Sequence, residues 1–150
     1  MLSIRLICVG KLKEKFYTDA ANEYIKRLLA YCKLDVVEIA EDKGGSLDRE
    51  KTAIEAKIPA GAGIIALCVE GRELGSGELS ELIKDTAVRG VSRLCFIVGG
   101  STGIHEKLKA DADIRLSMSK MTFPHNLARV MLLEQLYRAF NIAGGGKYHK

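Results

Sequence analysis

The sequence predicts an α/β protein: a mostly parallel sheet with helices on both faces. Three observations point there. Short apolar runs alternate with helix-period segments from one end of the chain to the other. Two of those runs, Gly63–Val69 and Arg93–Val98, are almost continuously apolar, as strands covered on both faces are. Glycines and prolines fall between the segments or at their first position.

Leu2–Val9 reads as the first strand, and its apolar run carries Arg5. It has neither the basic leader nor the small-residue cleavage site of a signal peptide. Phe16–Cys32 places Ala20, Ala21, Tyr24, Leu28 and Tyr31 at helical spacing. Leu34–Ala40 is a second strand, β-branched at its centre, and Glu41–Ser46 is a charged loop. Leu47–Ile58 is a short charged helix stopped by Pro59. Gly63–Val69 is a buried strand and Glu70–Gly77 a loop. The helix Glu78–Arg89 opens after Ser76 or Gly77 and closes at Gly90. Arg93–Val98 is another buried strand, followed by the turn Gly99–Gly103 and a short helix, Ile104–Ala110. Ile114–Met118 is the last strand. Pro124–Ala143 is the longest helix, with its proline in the first turn and Thr122 placed to cap it.

The chain has 150 residues, 47% hydrophobic and 28% charged, the balance of one folded unit, 1–150, and not of a disordered segment. No apolar run reaches the roughly 20 residues that cross a bilayer. Cys8, Cys32, Cys68 and Cys95 form no CxxC pair, so they read as small buried hydrophobes in a reducing cytoplasm, with no metal implied. Charge is uneven. Residues 1–114 hold 17 basic and 18 acidic side chains, whereas 115–150 hold six basic ones against Glu134 alone. A basic last quarter suits a polyanion, RNA before membrane, although a solvated basic face reads the same way.

In a parallel α/β sheet, ligands bind beyond the carboxyl ends of the strands. Two segments qualify. Gly99-Gly100-Ser101-Thr102-Gly103 follows a buried strand and lets backbone approach a ligand; as a bare GGxxG it is equally a tight turn. It lacks the Lys-Ser/Thr of a P-loop and the spacing of a dinucleotide fingerprint. Ser117–Pro124 offers hydroxyls, amides, two Met and a Phe, enough to surround an adenosine, or simply to connect a strand to a helix. The long helix has no clean polar face, so some polar groups must pair inside; Glu134 and Arg138 stand at i,i+4, and His125 and Arg129 share an edge. His105 reads as surface decoration. The tail Tyr148-His149-Lys150 either frays or stacks on a base.

At these residues the chain resembles a known family. Phe96–Gly103 is similar to its Gly-rich signature. Leu116–His125, Ala128-Arg129 and Leu133–Phe140 resemble its C-terminal signature, and Tyr148-His149-Lys150 its terminal tripeptide. The family is RlmH, bacterial large-subunit rRNA pseudouridine N3-methyltransferases of the SPOUT class, and length and element order agree over the whole chain. The resemblance implies a C-terminal trefoil knot, a homodimer with the long helix near its two-fold axis, and S-adenosylmethionine as cofactor. It implies cofactor contacts from Leu67, Gly99, Gly100, Gly103, Met118, Ser119, Lys120, Met121, Thr122, Phe123 and Pro124. The substrate it implies is a pseudouridine of 23S rRNA in the assembled ribosome. The imide proton at N3 must leave, so His125 is the first expected contact to the base, His149 the second. Arg129 is expected to stabilise the imidate or a phosphate, and Arg138, Tyr148 and Lys150 to hold RNA. Three other readings stand beside this one: a SPOUT enzyme acting on tRNA, a ribosome-binding protein without catalysis, and a nucleotide-binding α/β domain, which the missing phosphate motifs disfavour. A chain of 150 residues without an added RNA-binding domain favours a preassembled substrate that brings its own docking surface.

Overall fold

The computed structural model describes residues 1–150. Ten elements alternate: β1 Ser3–Val9, α1 Lys15–Leu28, β2 Lys33–Ile39, α2 Leu47–Glu55, β3 Gly63–Glu73, α3 Ser76–Val88, β4 Arg93–Val98, α4 Glu106–Asp111, β5 Ile114–Ser117 and α5 His125–Ala143. The five strands form one sheet in the order β2-β1-β4-β3-β5, and every pairing is parallel. Parallel neighbours need crossovers, and the helices supply them on both faces.

Side-chain alternation along the strands sorts the core into two layers. Ile4, Leu6, Phe96 and Val98 point to α1, α3 and α5, where they meet Ala21, Leu28, Ile83, Leu133 and Leu136. Ile7, Val9, Cys95 and Ile97 point the other way, to Ile54 of α2 and Ile104 and Leu108 at α4. The layer under α5 is the larger, because α5 is buried along Val130, Leu132, Leu133, Leu136 and Ala139. Two serines of α3 tie it to α5: the Ser80 hydroxyl donates to the Ala139 carbonyl at 2.7 Å, and that of Ser76 to Gln135 Oε1 at 2.6 Å.

The structure revises the sequence reading in four places. β3 runs on to Glu73 instead of ending at Val69, and its pairing with β5 shifts register between Leu67 and Arg72. The strand therefore bends where a loop was expected, and only Ile65 and Ala66 of the apolar run are buried. Gly71 makes the second half possible, since a Cβ there would lie 2.8 Å from the Arg115 and Leu116 backbone. α3 starts two residues early, with Glu78 Oε1 accepting from the Gly75 amide at 2.9 Å. Pro124, not Thr122, is the residue before the first turn of α5, and no side chain caps that helix. His105 is not decoration: its Nδ1 accepts from the Lys107 amide at 2.9 Å and caps α4, while Nε2 meets Asp48 at 2.8 Å.

Candidate active site

The carboxyl ends of β3, β4 and β5 open on a cleft of about 600 Å³, within the range of small-molecule sites. Three segments build it. The first is the end of the apolar run of β3, Leu67–Glu70. The second is the turn after β4. Its tightness is set by the Gly103 amide, which donates to the Gly100 carbonyl at 3.1 Å, and by Gly103 at φ +81°. A Cβ on Gly99 would sit 2.7 Å from the Gly103 carbonyl oxygen, so only glycine lets the two arms of the turn close. The third is the loop after β5. The buried Ser117 hydroxyl donates to the Ser119 carbonyl at 2.9 Å, and the Met121 amide donates to Ser119 Oγ at 3.0 Å. Those two bonds fold the loop over the cleft mouth and leave Met121 exposed.

Of the residues expected at a cofactor, Leu67, Gly99, Gly100, Gly103, Met118, Ser119, Met121, Thr122, Phe123 and Pro124 line this cleft. Lys120 lies in the same loop but faces solvent and is not part of the lining. His125 lines the cleft at the start of α5 and stands over Gly10, the residue after β1; its Nε2 is 3.6 Å from where a Gly10 Cβ would be.

The other expected residues are placed elsewhere. Arg129 shares the edge of α5 with His125 but turns under the sheet end, with 4% of its side chain exposed. Nη1 donates to Glu38 Oε2 and Nη2 to the Gly10 carbonyl, both at 2.7 Å. Its charge is spent inside the protein, so in this geometry it braces the loop beneath His125 and does not reach into the cleft.

Arg138, Tyr148 and His149 gather at the other half of α5. The Arg138 guanidinium grips Glu134, with Nη2 to Oε2 at 2.6 Å, and meets His149 Nδ1 at 3.0 Å. The Tyr148 hydroxyl donates to the same Glu134 oxygen at 2.6 Å. The Tyr148 ring packs edge-on against Tyr137 at 4.8 Å, with Arg138 stacked 4.7 Å over it. Burial pushes the Glu134 carboxyl up, but the bonds from Arg138 and Tyr148 outweigh it and hold it below the usual carboxylate range. The tail is docked rather than frayed, and Lys150 is exposed at its end. Arg138 lies thirteen positions along the helix from His125, about 20 Å at 1.5 Å per residue.

Sequence reasoning missed several groups. Lys109 reaches Glu70 at 2.5 Å across the cleft wall, and that bond holds the Glu70 carboxyl below its usual range. Glu41, just past β2, accepts from both the hydroxyl and the amide of Ser101, at 2.6 and 3.3 Å, and so fixes the Gly-rich turn from outside. Cys68 is the one cysteine on the cleft, half-buried where the other three are buried. Glu41 and Glu70 had one signal in the sequence: each directly follows a segment that reads as a strand, Leu34–Ala40 and Gly63–Val69. No three His, Cys, Asp or Glu side chains gather as a metal site, and no helix is long and apolar enough to cross a membrane.

A family model described as a predicted SPOUT methyltransferase matches residues 2–149. The chain belongs to the SPOUT methyltransferase family. Among relatives of this SPOUT protein, the ribosomal RNA large subunit methyltransferase H of Clostridioides difficile (strain 630) is 43% identical, covering 99% of this chain and 100% of the relative. The protein of the same name from Clostridium acetobutylicum is 45% identical with the same coverage. A solved structure described as a probable methylase family protein, from Haemophilus influenzae Rd KW20, superposes with a TM-score of 0.56 at 14% identity. It covers 98% of this chain and 70% of that one, a likeness of fold. The SPOUT membership and the parallel α/β sheet agree with the family and fold expected from the sequence.

Proposed function

We propose that this SPOUT protein is an S-adenosylmethionine-dependent methyltransferase of large-subunit ribosomal RNA, acting at N3 of a pseudouridine in the assembled ribosome. The observation that carries the reading is the convergence of the Gly99–Gly103 turn and the Met118–Pro124 loop on one cleft beside His125. Full-length identity to proteins named ribosomal RNA large subunit methyltransferase H supports rRNA over tRNA, and catalysis over mere binding.

The cleft residues fit the cofactor. Half of the lining is hydrophobic, suited to an adenine ring and a methionine stem, and the glycine backbone of the turn leaves room for a ribose. When bound, the cofactor supplies an electrophilic methyl group on a sulfonium. Leu67, Met118, Thr122, Phe123 and Pro124 would hold it and exclude water from the reacting centre. His125 stands at the mouth, where an incoming base would enter. Its ring accepts the imide proton or hydrogen-bonds the carbonyl that takes up the developing charge. Arg129 acts through His125 as a positioning residue.

The tail lies about 20 Å along α5 from the cleft of its own chain. In a homodimer built across α5, a second copy would bring its Tyr148, His149 and Lys150 toward this cleft, which is how the tail and Arg138 enter the reading as RNA contacts. The same reading includes the C-terminal trefoil knot and a cytoplasmic location. The threading of the C-terminal segment is supported by the position of β5 at the sheet edge, outside β3, with its loop folded back over the turn after β4.

The deciding experiment incubates the protein with methyl-labelled S-adenosylmethionine and ribosomes from cells lacking the gene, beside free 23S rRNA and separated large subunits. Label in 23S rRNA of intact ribosomes at one N3-methylpseudouridine is the expected result. Label in tRNA, or none with cofactor bound, would overturn the substrate.

A further inference from the structure

The basic last quarter of the chain is less available for RNA than its composition suggests. Arg129 is buried against Glu38, and Arg138 is matched by Glu134. The lysines beside the cleft mouth are in the opposite situation. Between β1 and α1 the chain runs Gly10-Lys11-Leu12-Lys13-Glu14, and Lys11 and Lys13 are exposed with no acidic partner within 4 Å. Their loop is held firmly all the same. The Leu12 amide donates to Glu38 Oε2 at 3.3 Å, the same oxygen that receives Arg129 Nη1, and Arg129 Nη2 takes the Gly10 carbonyl. Gly10 turns at φ +94° directly under the His125 ring. An ion pair with its arginine buried therefore clamps the loop at Gly10 and Leu12. It leaves the two lysines, on either side of Leu12, projecting into solvent next to the residue that meets the base.

We propose that the Gly10–Glu14 loop is a phosphate-gripping rim of the cleft, with Lys11 and Lys13 neutralising backbone phosphates of the RNA that flank the base delivered to His125. The inference rests on the RNA reading above and gives it a docking surface from the amino-terminal part of the chain. A fixed loop suits such a rim, because lysines on a rigid backbone lose less freedom on binding, and phosphate contacts set the register in which a base is presented. Glu41, at the same edge, is already taken up by Ser101, and its carboxyl is held below the usual range by those bonds first and by His125 and Lys13 after them.

The test is the double charge reversal Lys11→Glu with Lys13→Glu in the full chain. The control is Lys33→Glu, an exposed lysine at the opposite, amino edge of the sheet. Folding is followed by circular dichroism, cofactor affinity by calorimetry, and ribosome binding by co-sedimentation at increasing salt. The double reversal is expected to keep the fold and the cofactor affinity and to weaken ribosome binding about tenfold or more. It should flatten the slope of log K against log salt by about 1 to 2. Lys33→Glu is expected to behave as wild type. If the reversal does not fold, Lys11→Gln with Lys13→Gln reads the same salt slope without added repulsion. A wild-type slope in the folded double variant overturns the proposal, and so does an equal loss from Lys33→Glu. Binding that survives nuclease digestion of the rRNA also overturns it, since the partner would then be protein. If wild-type protein transfers no methyl group, the reaction proposed above fails, yet the sedimentation series still decides the rim.

Discussion

Arg129 Nη1 lies 2.7 Å from Glu38 Oε2, joining the longest helix to the second strand across 91 residues of sequence. The pair is lopsided: 4% of the Arg129 side chain is exposed, against 36% for Glu38. Removing the exposed partner should therefore hurt more. Glu38→Ala strands a buried cation and is expected to cost about 3 kcal/mol. Arg129→Ala leaves a carboxylate that water can reach, and should cost less. Urea unfolding of the two variants checks the order, and equal losses would mean that packing, not charge, sets the cost.

His125→Ala is expected to lower kcat far more than it lowers cofactor affinity, because the ring stands at the mouth of the cleft while the two loops form its walls. Single-turnover methyl transfer beside calorimetry separates the two effects. Equal losses in both would take His125 away from the acceptor side.

Gly99→Ala puts a methyl group 2.7 Å from the Gly103 carbonyl oxygen and 2.8 Å from Ile104 Cγ1. Backbone cannot give way as a side chain can, so the turn must open, at about 1–3 kcal/mol. Cofactor affinity should fall with stability. Gly77, where a Cβ meets nothing within 4 Å, is the matched control, and Gly77→Ala should leave cofactor affinity as it is.

The tail should undock at both ends of the pH scale. The Glu134 carboxyl is held below its usual range, so the stability it lends is present above the ordinary carboxylate pKa and lost as pH falls through the lowered value. The Tyr148 hydroxyl is shifted up by its bond to Glu134, then by burial; its contribution is full below about pH 10 and lost as pH rises through the raised value. Tyr148→Phe removes the bond and should weaken docking by about 1 kcal/mol. The aromatic ring resonances of residue 148 by NMR follow all three.

Thiol labelling should find one cysteine near neutral pH. Burial pushes Cys8 and Cys32 up to about 11 and Cys95 up to about 12, so none of these forms thiolate readily. Cys68 is raised less and borders the cleft, so it should react slowly and be protected by S-adenosylmethionine. Labelling that ignores the cofactor would place the ligand elsewhere.

Local pattern made the element order legible. Leu94–Val98 and the three glycines after it announce a buried strand and a close turn without any knowledge of partners. The far end of β3 was not legible, because Glu70-Gly71-Arg72-Glu73 reads as a loop and becomes strand only through its shifted pairing with β5. The Glu134–Arg138 bridge was readable, since both residues lie on one helix. The burial of Arg129 was not: its partners are 91 and 119 residues away, and only the folded sheet brings them together. The docked tail was hidden for the same reason, as nothing in three glycines and a tripeptide says which helix face awaits them.

The strand order β2-β1-β4-β3-β5 also sets a timetable for folding. β1 has only β2 beside it until residues 93–98 exist, and β3 has no neighbour at all before then. A ribosome releasing this chain holds out a half-finished sheet for about two-thirds of synthesis. Closing such long loops before the contacts that reward them is slow. The molecule should therefore gain its cooperativity late, when β4 slides between β1 and β3, and the cleft comes into being later still, once β5 and the loop after it have followed.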